Sequence, residues 1–179
     1  MLKILATIAG VIAIAVIGVL AYATTKPDTF RVERSITVNA APEKIFPLIN
    51  DFRAWREWSP YEDRDPDLKR TYSQPASGKG AVYSWDGNSN VGSGRMEILE
   101  APAPSKVTIK LDFYRPFEAS NTAEFVMAPS SNGTRVTWAM DGPNMYVGKV
   151  MSVFMDVDKM VGTDFEAGLQ KLKARAERS

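Results

Sequence analysis

The side chains that most often carry acid–base or nucleophilic chemistry are scarce in this chain. Its 179 residues include no histidine and no cysteine, which excludes disulfides, thiolate catalysis and any Ser-His-Asp or Cys-His site. Proton transfer would then need a tyrosine or carboxylate whose pKa is shifted by an apolar site. Four residues on predicted strands are the weak catalytic candidates: Tyr83, Asp141, Arg34 and Asn121. Binding is therefore expected rather than catalysis, and no metal or cofactor site is predicted.

Four aromatic rings lie among charged residues in the segment INDFRAWREWSPYEDRDP, residues 49–66. Trp55 and Trp58 are three residues apart, so on a helical turn they share one side. The two rings either close one end of the core or form a gate that contacts a ligand. The charged run EDRDPD, residues 62–67, is predicted to be a solvated loop, since nothing completes a set of cation ligands there.

Large apolar side chains on the predicted strands and C-terminal helix could line either a packed core or a pocket for an apolar ligand. Methionine is frequent, with eight in the chain, and its flexible thioether suits both roles. With the two tryptophans above, the candidate ligand-binding residues are Trp85, Met96, Phe113, Phe125, Trp138, Met140, Met151, Phe154 and Met155.

Alternating apolar and polar residues predict the strands that would position these side chains. The clearest case is KVTIKLDF, residues 106–113, which puts four apolar residues on one face. A strand is predicted at Phe30–Val38, followed by two short helices and then six strands. The glycine-rich run at 87–94 is predicted to be a hairpin turn, because it lacks the lysine and following helix of a phosphate-binding loop. The pattern is typical of an antiparallel meander covered on one side.

Apolar residues at three- and four-residue spacing predict helical structure near the C-terminus. Thr163 and Glu166 have the spacing of a capping box, directly after a glycine. We therefore predict one segment over 147–160 and a new helix over 164–177, a break that avoids burying the carboxylate of Asp158.

The N-terminal residues 4–23 contain no charge. Twenty helical residues extend about 30 Å, one bilayer core, so residues 1–23 are predicted to be a transmembrane anchor. The alternative is a signal peptide cleaved near Ala23. Residues 24–29 are interpreted as a linker, and residues 30–179 as one domain.

The location of that domain is predicted as the extracytoplasmic side of a bacterial cytoplasmic membrane, although the Lys and Arg residues flanking the span favour the cytoplasm. The net charge of +1 gives no reason to expect a nucleic-acid partner.

Several motifs resemble one superfamily in order and spacing. The stretch VERSITVNAAPEKIFPLINDFRAWREWSP at 32–60 resembles the start of SRPBCC (START-like) proteins, and GAVYSWDGN, GSGRMEI and MVGTDFEAGLQKLK resemble its bacterial polyketide cyclase/dehydrase-like branch. The resemblance implies an α+β helix-grip fold: a curved seven-stranded antiparallel sheet around a long C-terminal helix, with two short helices after strand 1 and a deep hydrophobic pocket. It supplies no matching catalytic motif.

Together these features predict a membrane-tethered protein that binds a hydrophobic small molecule, either a lipid or an aromatic, polyketide-like metabolite, in a cavity between the sheet and the C-terminal helix. One alternative is a histidine-independent cyclase or hydratase acting on a polyketide-like substrate. The other is a module that binds a protein partner, as related helix-grip domains do.

Overall fold

The computed structural model describes residues 1–178, except the side chain of Leu2. The helices are α1 (Leu2–Ala23), α2 (Pro42–Asn50), α3 (Tyr146–Phe154) and α4 (Val157–Ala176), with a 3₁₀ turn at Ala54–Glu57. The strands are β1 (Thr29–Val38), β2 (Lys69–Tyr72), β3 (Val82–Asp86), β4 (Ser93–Glu100), β5 (Lys106–Arg115), β6 (Ala119–Ser130) and β7 (Gly133–Pro143).

The seven strands form one antiparallel sheet in the order β1-β7-β6-β5-β4-β3-β2. Strands β2 to β7 pair with their neighbours in sequence, and β1 completes the sheet beside β7. The alternation predicted for β5 is present, with Val107 and Ile109 fully buried. The predicted helix-grip architecture is confirmed, because apolar strand faces are covered by α4 as the alternation requires.

The core lies between the sheet and α4. Phe165 of α4 stacks on Trp138 of β7 with 4.0 Å between ring centroids, and Phe125 stacks on the other side at 4.9 Å. Gly168 lets the helix approach closely, since a Cβ there would lie 2.9 Å from the Trp138 ring. Side chains therefore fill the centre of the sheet–helix interface, where the sequence analysis placed the ligand cavity.

The break between the C-terminal helices lies at Met155–Asp156, earlier than predicted. The Asp156 carboxylate caps α4 by accepting a hydrogen bond from the Lys159 backbone N–H at 2.9 Å. The predicted capping box is wrong, because Thr163 lies inside α4 and its hydroxyl donates to the Lys159 carbonyl at 2.8 Å. The first backbone N–H groups of a helix have no partner within the helix, so a side chain such as that of Asp156 can accept from them. The N–H groups that follow Thr163 are already bonded within α4.

The charged run at 62–67 is a loop with four exposed residues, as predicted, but Glu62 and Asp65 are not solvated. Asp65 is only 4% exposed and accepts hydrogen bonds from the backbone N–H groups of Asp67 and Asn88. Glu62 pairs with Arg70 at 2.6 Å, and its side chain is 7% exposed. The prediction is wrong for these two carboxylates only, because both have partners outside the run that hydropathy alone does not reveal.

Helix α1 is long and apolar enough to cross a membrane, and its apolar side chains lie exposed along most of its length. Ala23 at its end is buried, where α1 meets α3. The orientation of the span and its cleavage stay predictions.

Candidate ligand-binding groove

A groove of about 590 Å³ opens where the linker after α1, the start of β1 and the α3–α4 junction come together. This volume lies within the roughly 300–1,000 Å³ typical of small-molecule sites, but the groove is largely open to solvent rather than enclosed. β1 begins and β7 ends at this edge of the sheet, where Thr29 pairs with Pro143. The groove is therefore at the end of the domain nearest to α1.

The lining of the groove has both apolar and charged parts. Its apolar residues include Phe30 of β1, Val153 and Phe154 of α3, and Met155 at the junction. Its charged residues are Lys26, Arg31, Asp156 and Asp158. A molecule with an apolar body and a polar end matches this arrangement.

Six of the eleven candidate ligand-binding residues are buried in the core. The 3₁₀ turn lays Trp55 against Trp58, with ring centroids 4.8 Å apart, and both indoles donate to backbone carbonyls at the end of α2. Each of these rings also packs edge-on against Phe125 and Trp138. The buried candidates are Trp55, Trp58, Met96, Phe125, Trp138 and Met140.

The other five candidates are more accessible. Trp85 and Phe113 are half-buried, meet edge-on with centroids 5.7 Å apart, and lie on β3 and β5. Met151, Phe154 and Met155 are exposed on α3 and the α3–α4 junction. Of the eleven, Phe154 and Met155 line the groove.

Tyr83 is held inside a polar cluster on the β2–β3 side of the sheet. Its hydroxyl donates to Glu62 Oε1 at 3.0 Å, and its ring stacks on Tyr72. Burial and the neighbouring Glu62 carboxylate raise the pKa of the Tyr83 phenol above its ordinary value. The phenol therefore stays protonated near neutral pH, which suits a structural donor better than a proton shuttle.

Arg34 faces inward from β1 and joins the strand to α4. Its guanidinium donates to Asp158 Oδ2 at 2.9 Å and to Glu166 Oε1 at 2.8 Å. The hydrogen bond to Asp158 chiefly raises the pKa of Arg34, and the same bond lowers the pKa of the Asp158 carboxyl. A Cβ at Gly162 would overlap the guanidinium, so the glycine makes room for this connection.

Asp141 and Asn121 complete the four catalytic candidates. Asp141 pairs with Arg31 at 3.1 Å, and both side chains are about half exposed. Asn121 is buried, and within residues 1–178 its Oδ1 has no hydrogen-bond partner. The four candidates thus lie in different surroundings, and no three or more Asp or Glu residues in the described chain form a metal-binding group.

Most of the residues that line the groove were not singled out from the sequence as ligand-binding, among them the linker, Phe30 and Val153. Lys26 and Ser152 are far apart in sequence, and only the fold brings them together. The sequence signal that could have indicated the groove was the apolar spacing of α3 directly before Asp156, the residue that caps the next helix.

Comparison with known families gives one match. Residues 29–177 match the model of a family described as polyketide cyclase / dehydrase and lipid transport. No curated protein matches the chain.

Solved structures share the fold at low identity. Protein CV1439 from Chromobacterium violaceum is 16% identical with a TM-score of 0.57, and the match covers 84% of this chain and 99% of that one. The Aha1 dimer from Colwellia psychrerythraea is 16% identical with a TM-score of 0.59, covering 83% and 96%. The di-domain ARO/CYC BexL from the BE-7585A biosynthetic pathway is 14% identical with a TM-score of 0.62, covering 88% of this chain and 53% of that one.

Proposed function

The chain belongs to the polyketide cyclase / dehydrase and lipid transport family, and from this premise we propose that it is a membrane-tethered, non-catalytic binder of a hydrophobic small molecule. The observation that carries the proposal is the groove at the end of the sheet–helix interface, beside the end of the membrane-length helix α1. The fold and family support hydrophobic-ligand binding, and we propose the groove as its site.

The lining favours an amphipathic ligand over a wholly apolar one. Phe30, Val153 and Phe154 offer apolar surface, while Lys26 and Asp156 offer charges of both signs. Burying an apolar chain contributes about 0.8 kcal/mol per methylene, whereas a charged or hydroxylated end can stay near water and the ionic groups. A lipid-like molecule meets both conditions, as would an aromatic metabolite with a polar substituent.

Asn121 lies outside the groove lining but is a buried polar group near one of its residues. Its unpartnered Oδ1 lies against Gly142, which pairs with the groove residue Phe30. Buried acceptors are nearly always satisfied in folded proteins. A ligand hydroxyl or amide that reached past Phe30 would satisfy this one.

The tether would raise the encounter rate with a membrane-dissolved ligand. A groove held beside the bilayer experiences a local ligand concentration set by the linker, which can greatly exceed the bulk value. The linker is attached to the domain rather than free. Asp28 forms an ion pair with Lys149 of α3, and Asn144 Nδ2 donates to the Pro27 carbonyl at 3.1 Å. These contacts keep the groove close to the end of α1.

The test is native mass spectrometry of the full chain in lipid nanodiscs, followed by solvent extraction of the protein. We expect a single class of apolar or amphipathic molecule that co-purifies and is distinct from the nanodisc lipid. A protein that is empty as purified, and that stays empty after incubation with oleate and with 2-naphthol, would contradict the proposal.

A further inference from the structure

Helix α3 carries an exposed apolar face. Val147, Met151 and Phe154 are spaced by four and three residues, so they lie along one side of the helix. Val147 is 58% exposed and Phe154 is 71% exposed. Every residue of α3 is exposed or half-buried, so the folded domain leaves this face uncovered.

The opposite face of α3 is polar and attached to the protein. Lys149 points to that side, where its ammonium pairs with Asp28 of the linker. Ser152 lies on the same side and lines the groove. The helix is thus amphipathic. Lys149 and Ser152 face the linker and the groove, whereas Val147 and Met151 face outward. Phe154, which also lines the groove, lies where the two surfaces meet.

The position of α3 is fixed relative to α1. The hydroxyl of Tyr146, at the first turn of α3, donates to the carbonyl of Leu20 at 3.1 Å. Leu20 lies in the last turn of α1, the turn that reaches the membrane surface if α1 spans the bilayer. Tyr22 and Lys26 follow there, with the ammonium 4.8 Å from the ring centroid, and aromatic and basic residues are typical of that depth.

From these observations we propose that α3 lies on the surface of the same bilayer that α1 crosses, with Val147 and Met151 inserted among the lipid chains near the headgroups and Phe154 at the boundary between lipid and groove. This inference rests on the membrane tether of the proposed function. At nine residues α3 is about 14 Å long, too short to span about 30 Å of hydrocarbon. An apolar face on a short amphipathic helix at this depth is the arrangement of an interfacial helix.

Helix α3 contacts α1, so its exposed apolar face lies beside the exposed apolar side chains of α1. If α1 spans the bilayer, lipid is favoured over a second protein as the occupant of that face. Docking would also orient the groove, since Ser152, Val153 and Phe154 of α3 form one of its walls. A ligand could then pass between bilayer and groove around a helix that lies at their boundary.

The absence of cysteine makes the test direct. Single cysteines are introduced into the full chain as Val147→Cys and Phe154→Cys, labelled with bimane, and reconstituted into vesicles of phosphatidylcholine and phosphatidylglycerol. Ile12→Cys in the middle of α1 reports the tether, and Ser131→Cys in the β6–β7 turn, at the opposite end of the sheet, reports bulk water. Circular dichroism confirms that each variant keeps the wild-type fold.

Lipids spin-labelled near the headgroup should reduce emission at positions 147 and 154 about twofold or more, with little change at 131. Emission at 147 and 154 that is unaffected by these lipids would overturn the inference. Quenching by iodide would then show that the labels are in water, and protection from iodide would show that a second copy of the chain covers them. If the label at position 12 also escapes lipid quenchers placed at mid-bilayer depth, the tether itself fails. Quenching at 12 without quenching at 147 and 154 overturns only the placement of α3.

Discussion

The interior between the sheet and α4 and the end of the domain next to α1 use the same kinds of side chain in different ways. In the interior, Trp58 and Phe125 are almost fully buried and pack edge-on, and the buried Phe165 stacks on Trp138. At the other end, Val147, Phe154 and their neighbours remain exposed around a groove. Aromatic and thioether residues therefore do not by themselves mark a ligand site in this fold. Apolar surface that has no partner within the described chain indicates a binding site better than residue type does.

The difference in packing between these two regions is tested most directly by truncating one ring in each. Trp58→Ala removes a fully buried indole whose Nε1 donates to the Leu48 carbonyl at 2.8 Å. We expect a loss of about 3–5 kcal/mol in the free energy of unfolding, measured by urea denaturation of the full chain in mild detergent. Phe154→Ser is the matched control, with an expected change within about 0.5 kcal/mol. Similar losses in the two variants would show that the two regions do not differ in packing.

A second comparison concerns ion pairs that are buried or exposed. Arg70→Met leaves the buried carboxylate of Glu62 without its cation, and breaking such a pair costs about 3–5 kcal/mol. Arg31→Met breaks ion pairs with Glu33 and Asp141 that are about half exposed, which should cost about 0–1 kcal/mol. Equal unfolding free energies for the two variants would mean that the polar cluster around Glu62 is solvated.

The contact between β1 and α4 gives a smaller effect. In Gly162→Ala the new methyl group overlaps the Arg34 guanidinium, and such overpacking costs about 1–3 kcal/mol. In an Arg34→Met background the same alanine should be neutral, or stabilising by up to about 1 kcal/mol through its helix propensity. The same loss in both backgrounds would show that the glycine is needed for another reason.

The smallest expected effect is on pH dependence. The hydrogen bond from Arg34 lowers the pKa of Asp158 in the folded protein, so the unfolded chain binds its proton more readily. The stabilisation is therefore present above about pH 4 and is lost as the pH falls further through the lowered pKa. Because the Asp158 side chain is 59% exposed, the contribution is small. Thermal melts in acid should lose less stability in Asp158→Asn than in the wild type, and parallel curves would contradict this assignment.

The sheet could be predicted from sequence because each strand shows its buried face through local alternation. In β5, for example, Val107 and Ile109 alternate with half-buried or exposed polar residues. The break between α3 and α4 was misplaced because two capping signals compete within eight residues. The helix is capped at Asp156 because its carboxylate accepts a hydrogen bond from a backbone N–H group at the start of α4. Thr163 cannot be a cap, because the turn before it is already helical.

The groove could be predicted only in part. Phe154 and Met155 were among the candidates because their spacing marks an apolar helix face, but the same criterion also selected core residues such as Phe125. Burial depends on which segments meet, and here the linker near Lys26 meets a helix more than a hundred residues later. Local patterns contain no information on that encounter.

The central claim is that the ligand binds in the groove. The most direct test is to fill the groove with a large side chain and measure whether the bound molecule is lost. Ser152→Trp puts an indole on the groove-facing side of α3, and Ser131→Trp puts the same ring in the exposed β6–β7 turn. Native mass spectrometry of both variants and the wild type in nanodiscs should show the bound molecule in the wild type and in Ser131→Trp, and an empty Ser152→Trp protein. A Ser152→Trp protein that retains its ligand at the wild-type level would contradict the account, and would place the molecule elsewhere in the fold.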